Sequence, residues 1–134
     1  MQGEKIGEET GKVTSRRVLP NPQGSLKMET SAQTELTLLG VKATNTETYW
    51  AVARPDGTLY GEGQGIVMSR AGDLATWTGQ GVGTPRQDGG VSFRGAIYYQ
   101  SSSPHWSRLN SVAAIFEHEV DADGNIHSQI WEWK

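Results

Sequence analysis

The stretch Thr58–Gly83, TLYGEGQGIVMSRAGDLATWTGQGVG, decides the fold. Two strand-like runs flank a turn at Arg70-Ala71-Gly72. Strand side chains alternate with period two, so Gly61, Gly63 and Gly65 share one face of the first run and Gly79, Gly81 and Gly83 one face of the second. Glycine weakens a strand through its entropy and missing side chain. A double row of it therefore points to sharp sheet curvature, close backbone approach or space reserved beside the sheet. Pairing Ser69 with Asp73 across the turn sets Gly65 opposite Trp77, Gly63 opposite Gly79 and Gly61 opposite Gly81. Aromatic rings are expected to cover the bare backbone.

Upstream, Arg54-Pro55-Asp56-Gly57-Thr58 is a hairpin turn: Pro presets φ, Asp bonds its own backbone, and Gly supplies the left-handed residue. Pairing Arg54 with Thr58 sets Trp50 opposite Glu62 and Tyr49 opposite Gly63. Farther back, Leu26 to Leu38 alternates cleanly. Its even positions Leu26, Met28, Thr30, Ala32, Thr34, Leu36 and Leu38 face inward, and Lys27, Glu29, Ser31, Gln33 and Glu35 face out. A two-residue Leu39-Gly40 turn carries that inward face onto Val41, Ala43 and Tyr49, and hence onto the glycine row; a bulge there reverses the result.

Val13 to Leu19 is a weaker strand, closed by the Pro20-Asn21-Pro22 and Gly24 punctuation. Downstream come Val91–Gln100, with Val91, Phe93, Ile97 and Tyr99 on one face, and a hairpin of Leu109–Val120 and Ile126–Trp133 around Asp121-Ala122-Asp123-Gly124-Asn125. The irregular Ser101-Ser102-Ser103-Pro104-His105-Trp106 reads as a lid over one barrel end. Residues 1–10, polar and without period, read as a flexible arm or short edge segment of a single domain spanning 1–134. The count is eight strands joined by short hairpins: an all-β, eight-stranded antiparallel up-and-down, calycin-like barrel, with a seven-strand sandwich as the structural alternative.

Composition narrows the partners. The chain has 134 residues, a formal charge of −3 and no cysteine. That offers no electrostatic footprint for nucleic acid or anionic membranes, and no disulfide, thiolate metal site or cysteine nucleophile. A reducing, cytoplasmic setting fits. No run of about 18 apolar residues would span a bilayer as a helix.

Motifs for chemistry mostly fail on context. GEGQG at Gly61–Gly65 lies inside a strand, not at the strand-to-helix turn a dinucleotide fingerprint needs, and GEETGK at Gly7–Lys12 is one residue short of a P-loop. The final hairpin puts His118 opposite Ser128 and His127 opposite Glu119, on opposite faces, so with His105 they make no metal site in this register. No G-x-S-x-G elbow exists, and Glu117 with Glu119 read as a solvated pair. Trp131 and Trp133 staple the closing strand. No cofactor is expected.

One polar cluster survives. Glu62 lies opposite Gln80 and Trp50, with Tyr60 and Gln64 two residues away on the same face. Turned inward, Glu62 is a carboxyl in an aromatic-lined cavity, where desolvation raises its pKa and suits acid or base work, with Arg94, Tyr98 and His118 on the facing wall. Turned outward, it is merely solvated and the glycines line the interior. The sequence leans slightly toward the outward arrangement, because charged residues are seldom buried unpaired.

GTLYGEGQG, ATWTGQGVG, FRGAIYY and the closing WEWK resemble the small calycin-like barrels, in particular the allene oxide cyclase-like group and similar uncharacterised prokaryotic proteins. Plant members of that group are trimers that bind a fatty-acid epoxide in an apolar barrel and use one glutamate with a bound water. The resemblance implies a homo-oligomer and makes Glu62 the nearest counterpart by chemistry rather than by a shared motif. Three readings stand. The first is a binding barrel for a small, mostly apolar ligand, walled by Trp50, Tyr60, Trp77 and Tyr98 with polar contacts from Glu62, Gln80, Arg94 or His118. The second is a cofactor-free cyclase or isomerase using Glu62 as acid or base. The third is a structural oligomer with a filled barrel.

Overall fold

The computed structural model describes residues 2–134. Eight antiparallel strands follow one another around a single closed sheet: β1 (Gln2–Val18), β2 (Lys27–Leu38), β3 (Val41–Ala53), β4 (Leu59–Ser69), β5 (Leu74–Pro85), β6 (Val91–Ser101), β7 (Ala114–Val120) and β8 (Asn125–Trp133), with β8 returning to pair with β1. Closure removes every sheet edge. None of the described residues forms a helix long and apolar enough to cross a membrane.

Turn chemistry sets the register. Leu39 and Gly40 both take positive φ, 48° and 78°, the mirror-image hairpin turn that leaves Leu38 paired with Val41. No bulge intervenes, so the even face of β2 continues onto Val41, Ala43, Asn45, Glu47 and Tyr49 of β3. The Arg54–Thr58 turn closes as expected, and β3 to β5 place Tyr49 on Gly63, Trp50 on Glu62, Gly63 on Gly79, Gly65 on Trp77 and Glu62 on Gln80. The glycines therefore face the interior and Glu62 faces out.

Two expectations are corrected. Residues 2–10 of the expected arm are the first half of β1, a 17-residue strand laddered to β2 and β8 on its two sides, Met1 lying outside the described residues. Its inward positions, Gly7, Glu9 and Gly11, are not apolar, so the alternation that marks β2 is missing from it. The lid is instead a plug: Pro104–Ser111 forms a 3₁₀ helix that buries Trp106 and Leu109 among Leu38, Ala114 and Ile130. Leu109 is thereby taken from the strand the sequence suggested, and β7 begins at Ala114. Asn110 fastens the segment by accepting from the Ser101 amide (2.8 Å) and donating to the Ser101 carbonyl (2.8 Å).

The Trp106 indole donates to the Leu38 carbonyl at 3.0 Å, tying the plug to the β2–β3 turn. Trp106→Phe leaves that buried acceptor without its partner and opens a small void. An expected loss of about 1–2 kcal/mol, read by urea denaturation, follows. An unchanged midpoint would show that the plug does not hold this end shut.

Candidate functional site

The glycine rows let rings and backbones approach the inner wall. A Cβ at Gly65 would lie 2.5 Å from Trp77 Cε2, one at Gly83 2.6 Å from Phe93 Cε1, and one at Gly81 2.8 Å from the Arg94 carbonyl oxygen. Aromatic rings thus cover much of the bare backbone, as expected for inward glycines in a curved sheet. What they leave open is a cavity of about 70 Å³ bordered by Gly61, Gly63, Gly79 and Gly81 on one side and by Phe93, Phe116, Ile97 and Ile130 on others. The polar side chains reaching it are Glu9, Glu47, His118 and Ser128, with Tyr49 and Trp77 completing the wall.

Two carboxyl groups meet across the barrel. Glu9 and Glu47 are 7% and 5% exposed, and the Asn45 amide nitrogen bridges them, 2.8 Å from Glu47 Oε1 and 3.2 Å from Glu9 Oε1. Thr34 Oγ1 donates to the same Glu9 oxygen at 2.5 Å. Trp77 Nε1 donates to Asn45 Oδ1 at 2.9 Å, which turns the amide nitrogen toward the acids. Strand pairing makes the cluster: Thr34 sits opposite Asn45 on β2–β3, and Glu9 opposite Leu36 on β1–β2.

Burial pushes both carboxyls up. Glu47 rises to about 8, from desolvation first and then from the charge of Glu9, with the Asn45 bond pulling the other way. Glu9 rises through desolvation and is held down by Thr34 and Asn45. Two buried carboxylates this close titrate as a unit. The better-solvated partner takes the first charge. Glu9, with two donors, is that partner, and Glu47 keeps its proton at neutral pH. Burial together with the nearby acids likewise holds the Tyr99 phenol well above its ordinary range.

On the other side of the cavity, His118 is boxed by rings, 5.7 Å from Tyr49 and 6.0 Å from Phe93 between centroids. Desolvation pulls it down to about 4, so it is neutral at pH 7. Its Nδ1 is 2.6 Å from Ser128 Oγ, and its Nε2 has no partner among the described residues.

Of the residues singled out from the sequence, only Trp77 and His118 bring side chains to this interior. Glu62 lies outside, accepting from the Tyr60 hydroxyl at 2.6 Å; Gln80 Oε1 is 3.1 Å from that hydroxyl, and Trp50 packs on the Tyr60 ring under Lys27 Nζ. Its neighbours along β4 are the glycines of the inner wall, so Glu62 borders the cavity through its backbone alone. Arg94 is drawn into an outer network, its Nη1 donating to Glu119 Oε2 at 2.6 Å, and Tyr98 is half exposed. His105 contacts Asp73 and His127 contacts Glu8, both away from His118. No group of three or more metal-ligating side chains forms among the described residues.

The sequence reading missed Glu9 and Glu47. The signal for Glu47 was present: it shares a face with Tyr49 on β3, and the Leu39-Gly40 turn directs that face inward. For Glu9 there was none, because β1 shows no apolar alternation.

These features define a closed one-sheet β-barrel whose small, largely apolar chamber holds a buried acid pair and a neutral imidazole. No family model matches the chain, and no curated protein matches it. Solved structures do. A protein of unknown function from Clostridium acetobutylicum superposes with a TM-score of 0.83 at 10% identity, covering 98% of each chain. A β-barrel-like protein from Acinetobacter baumannii gives 0.82 at 11% identity over 98% of this chain and 94% of its own. An enzyme from Penicillium herquei gives 0.68 at 13% identity over 96% and 92%. At such identities the likeness establishes the barrel fold alone.

Proposed function

We propose that the barrel holds one small, mostly apolar molecule in its interior chamber, in contact with the Glu9–Asn45–Glu47 cluster on one side and His118 on the other. The observation that carries this reading is the chamber itself. About 70 Å³ is left open beside a buried imidazole nitrogen that has no partner among the described residues. A purely structural barrel gains nothing from that arrangement. The resemblance of GTLYGEGQG and ATWTGQGVG to the allene oxide cyclase-like group supports an enclosed apolar ligand. The absence of cysteine fits a cytoplasmic role.

Native mass spectrometry of the chain purified from its own host tests the reading. A small molecule is expected to leave the protein on denaturation, and the same spectrum gives the subunit number. Protein that emerges with an empty chamber would count against ligand binding.

A second reading has its own support. Glu47, with its proton held up to about 8, is poised near neutrality as a general acid or base. The cyclase or isomerase role drawn for Glu62 therefore passes to Glu47. A Glu47→Gln chain that retains the molecule but no longer converts it would favour this reading over simple binding.

A further inference from the structure

We infer that the chamber selects a neutral ligand carrying a hydrogen-bond acceptor, such as a carbonyl or ether oxygen, and receives it on His118 Nε2–H. The inference rests on the binding reading above and adds the chemistry of the bound group. It comes from counting hydrogens around one imidazole.

His118 and Ser128 are 9% and 3% exposed, and their contact at 2.6 Å is the one hydrogen bond either side chain makes among the described residues. Two proton arrangements exist. In the first, Nδ1–H donates to Ser128 Oγ; the serine hydroxyl hydrogen then has no acceptor, and Nε2 is a bare lone pair, also without a partner. In the second, the serine hydroxyl donates to Nδ1, and Nε2–H is the sole group left unpaired. An unmade bond on a buried polar group costs free energy, so the arrangement with one orphan prevails over the arrangement with two. Ser128 thus fixes the tautomer, and Nε2 presents a proton to the chamber.

The surroundings decide the charge of the guest. Tyr49 and Phe93 pack their rings on the imidazole, Phe116 and Ile130 complete the apolar wall, and the only charge the carboxyl pair can acquire is negative. An anion would be repelled by any such charge across an apolar space. A cation would meet the N–H of a neutral imidazole head-on. A neutral acceptor satisfies the orphan hydrogen without either penalty.

Cyclopentane, cyclopentanone, cyclopentanecarboxylate and cyclopentylammonium are a matched probe set for NMR titration of the full chain at neutral pH. Cyclopentanone is expected to shift the His118 Nε2–H resonance. His118→Phe should weaken its binding at least tenfold more than it weakens that of cyclopentane. Equal losses for the two, or tighter binding of either charged probe, would overturn the inference and leave the binding reading intact. Exclusion of all four probes would overturn the binding reading, and the inference with it. Should His118→Phe fail to fold, the ¹⁵N shifts of the wild-type imidazole decide alone: a protonated Nδ1 and bare Nε2 would refute the proposal.

Discussion

Replacing Glu47 with glutamine is expected to stabilise the barrel above neutral pH and to change the shape of its pH profile. In the folded chain Glu47 holds its proton up to about 8, against an ordinary value of 4.5, while His118 loses its proton already at about 4 instead of 6.5. Stability falls with rising pH wherever the folded state binds more protons than the unfolded one, and rises where it binds fewer. Glu47 therefore lowers stability progressively from 4.5 to 8. His118 raises it from 4 to 6.5. Between 4.5 and 6.5 the two slopes oppose each other and these two contributions cancel. Above 6.5, of these two groups only Glu47 still titrates, and it should cost the chain on the order of 2 kcal/mol by pH 8, at about 1.4 kcal/mol per pH unit for one proton, with Glu9, also raised by burial, adding to the decline.

Glutamine at this position keeps the neutral shape, its carbonyl oxygen still accepting from Asn45 and its amide donating where the acid proton was. The Glu47→Gln variant should match the wild type near the ordinary carboxyl value. Relative to the wild type it should then gain stability steadily toward pH 8, any decline it still shows coming from Glu9. Urea denaturation of both chains across this range reads the difference directly. Parallel profiles would mean that Glu47 is not the group that titrates in the interior.

That acid pair also marks where the sequence stopped being readable. Hairpins were legible because turn residues act locally: Asp56 Oδ1 accepts from the Thr58 amide at 3.0 Å, and Gly40 takes the positive φ its turn needs. Registers follow from such turns by counting, which is why Glu62 and Gln80 could be paired from the chain alone. The direction of the whole glycine face hung on one question, two residues or a bulge at Leu39-Gly40, and a slip there inverts every side chain at once. Closure was harder. β1 holds its place through long-range pairing with β2 and β8, and its inward residues carry no hydrophobic pattern. Glu9 was hidden for that reason. The plug was hidden for another: Trp106 looks like a residue of an irregular loop and Leu109 like the start of a strand until the barrel end they fill exists.

Inward glycines, Gly95 beside Gly81 and Gly65 beside Trp77, give the other large effect. Gly95→Ala on β6 is expected to cost more than about 3 kcal/mol or to abolish folding, because a Cβ there would overlap the Gln80 carbonyl oxygen and lie 2.6 Å from Gly81 Cα. Both are backbone atoms of a strand locked between two neighbours, so only movement of β5 relieves the clash. Gly65→Ala meets a side chain instead. Its Cβ would overlap the Trp77 indole, which can tilt away at a cost of about 1–3 kcal/mol. Tilting has a consequence beyond stability. The same indole nitrogen orients Asn45, and Asn45 bridges Glu9 and Glu47, so the methyl group at Gly65, which pairs with Glu47 on the adjacent strand, should disturb the acid pair through the ring. Trp77→Leu in the Gly65→Ala background should recover part of the Gly65→Ala loss by removing the ring. The same change should recover none of the Gly95→Ala loss. Denaturation of the single and double variants forms two double-mutant cycles, with coupling expected at Gly65 and near additivity at Gly95. Inward glycine then has two separable duties: at Gly95 it lets strands of a small barrel pass at backbone distance, and at Gly65 it seats the ring that aims the amide at the buried acids. Equal coupling in both cycles would refute that division.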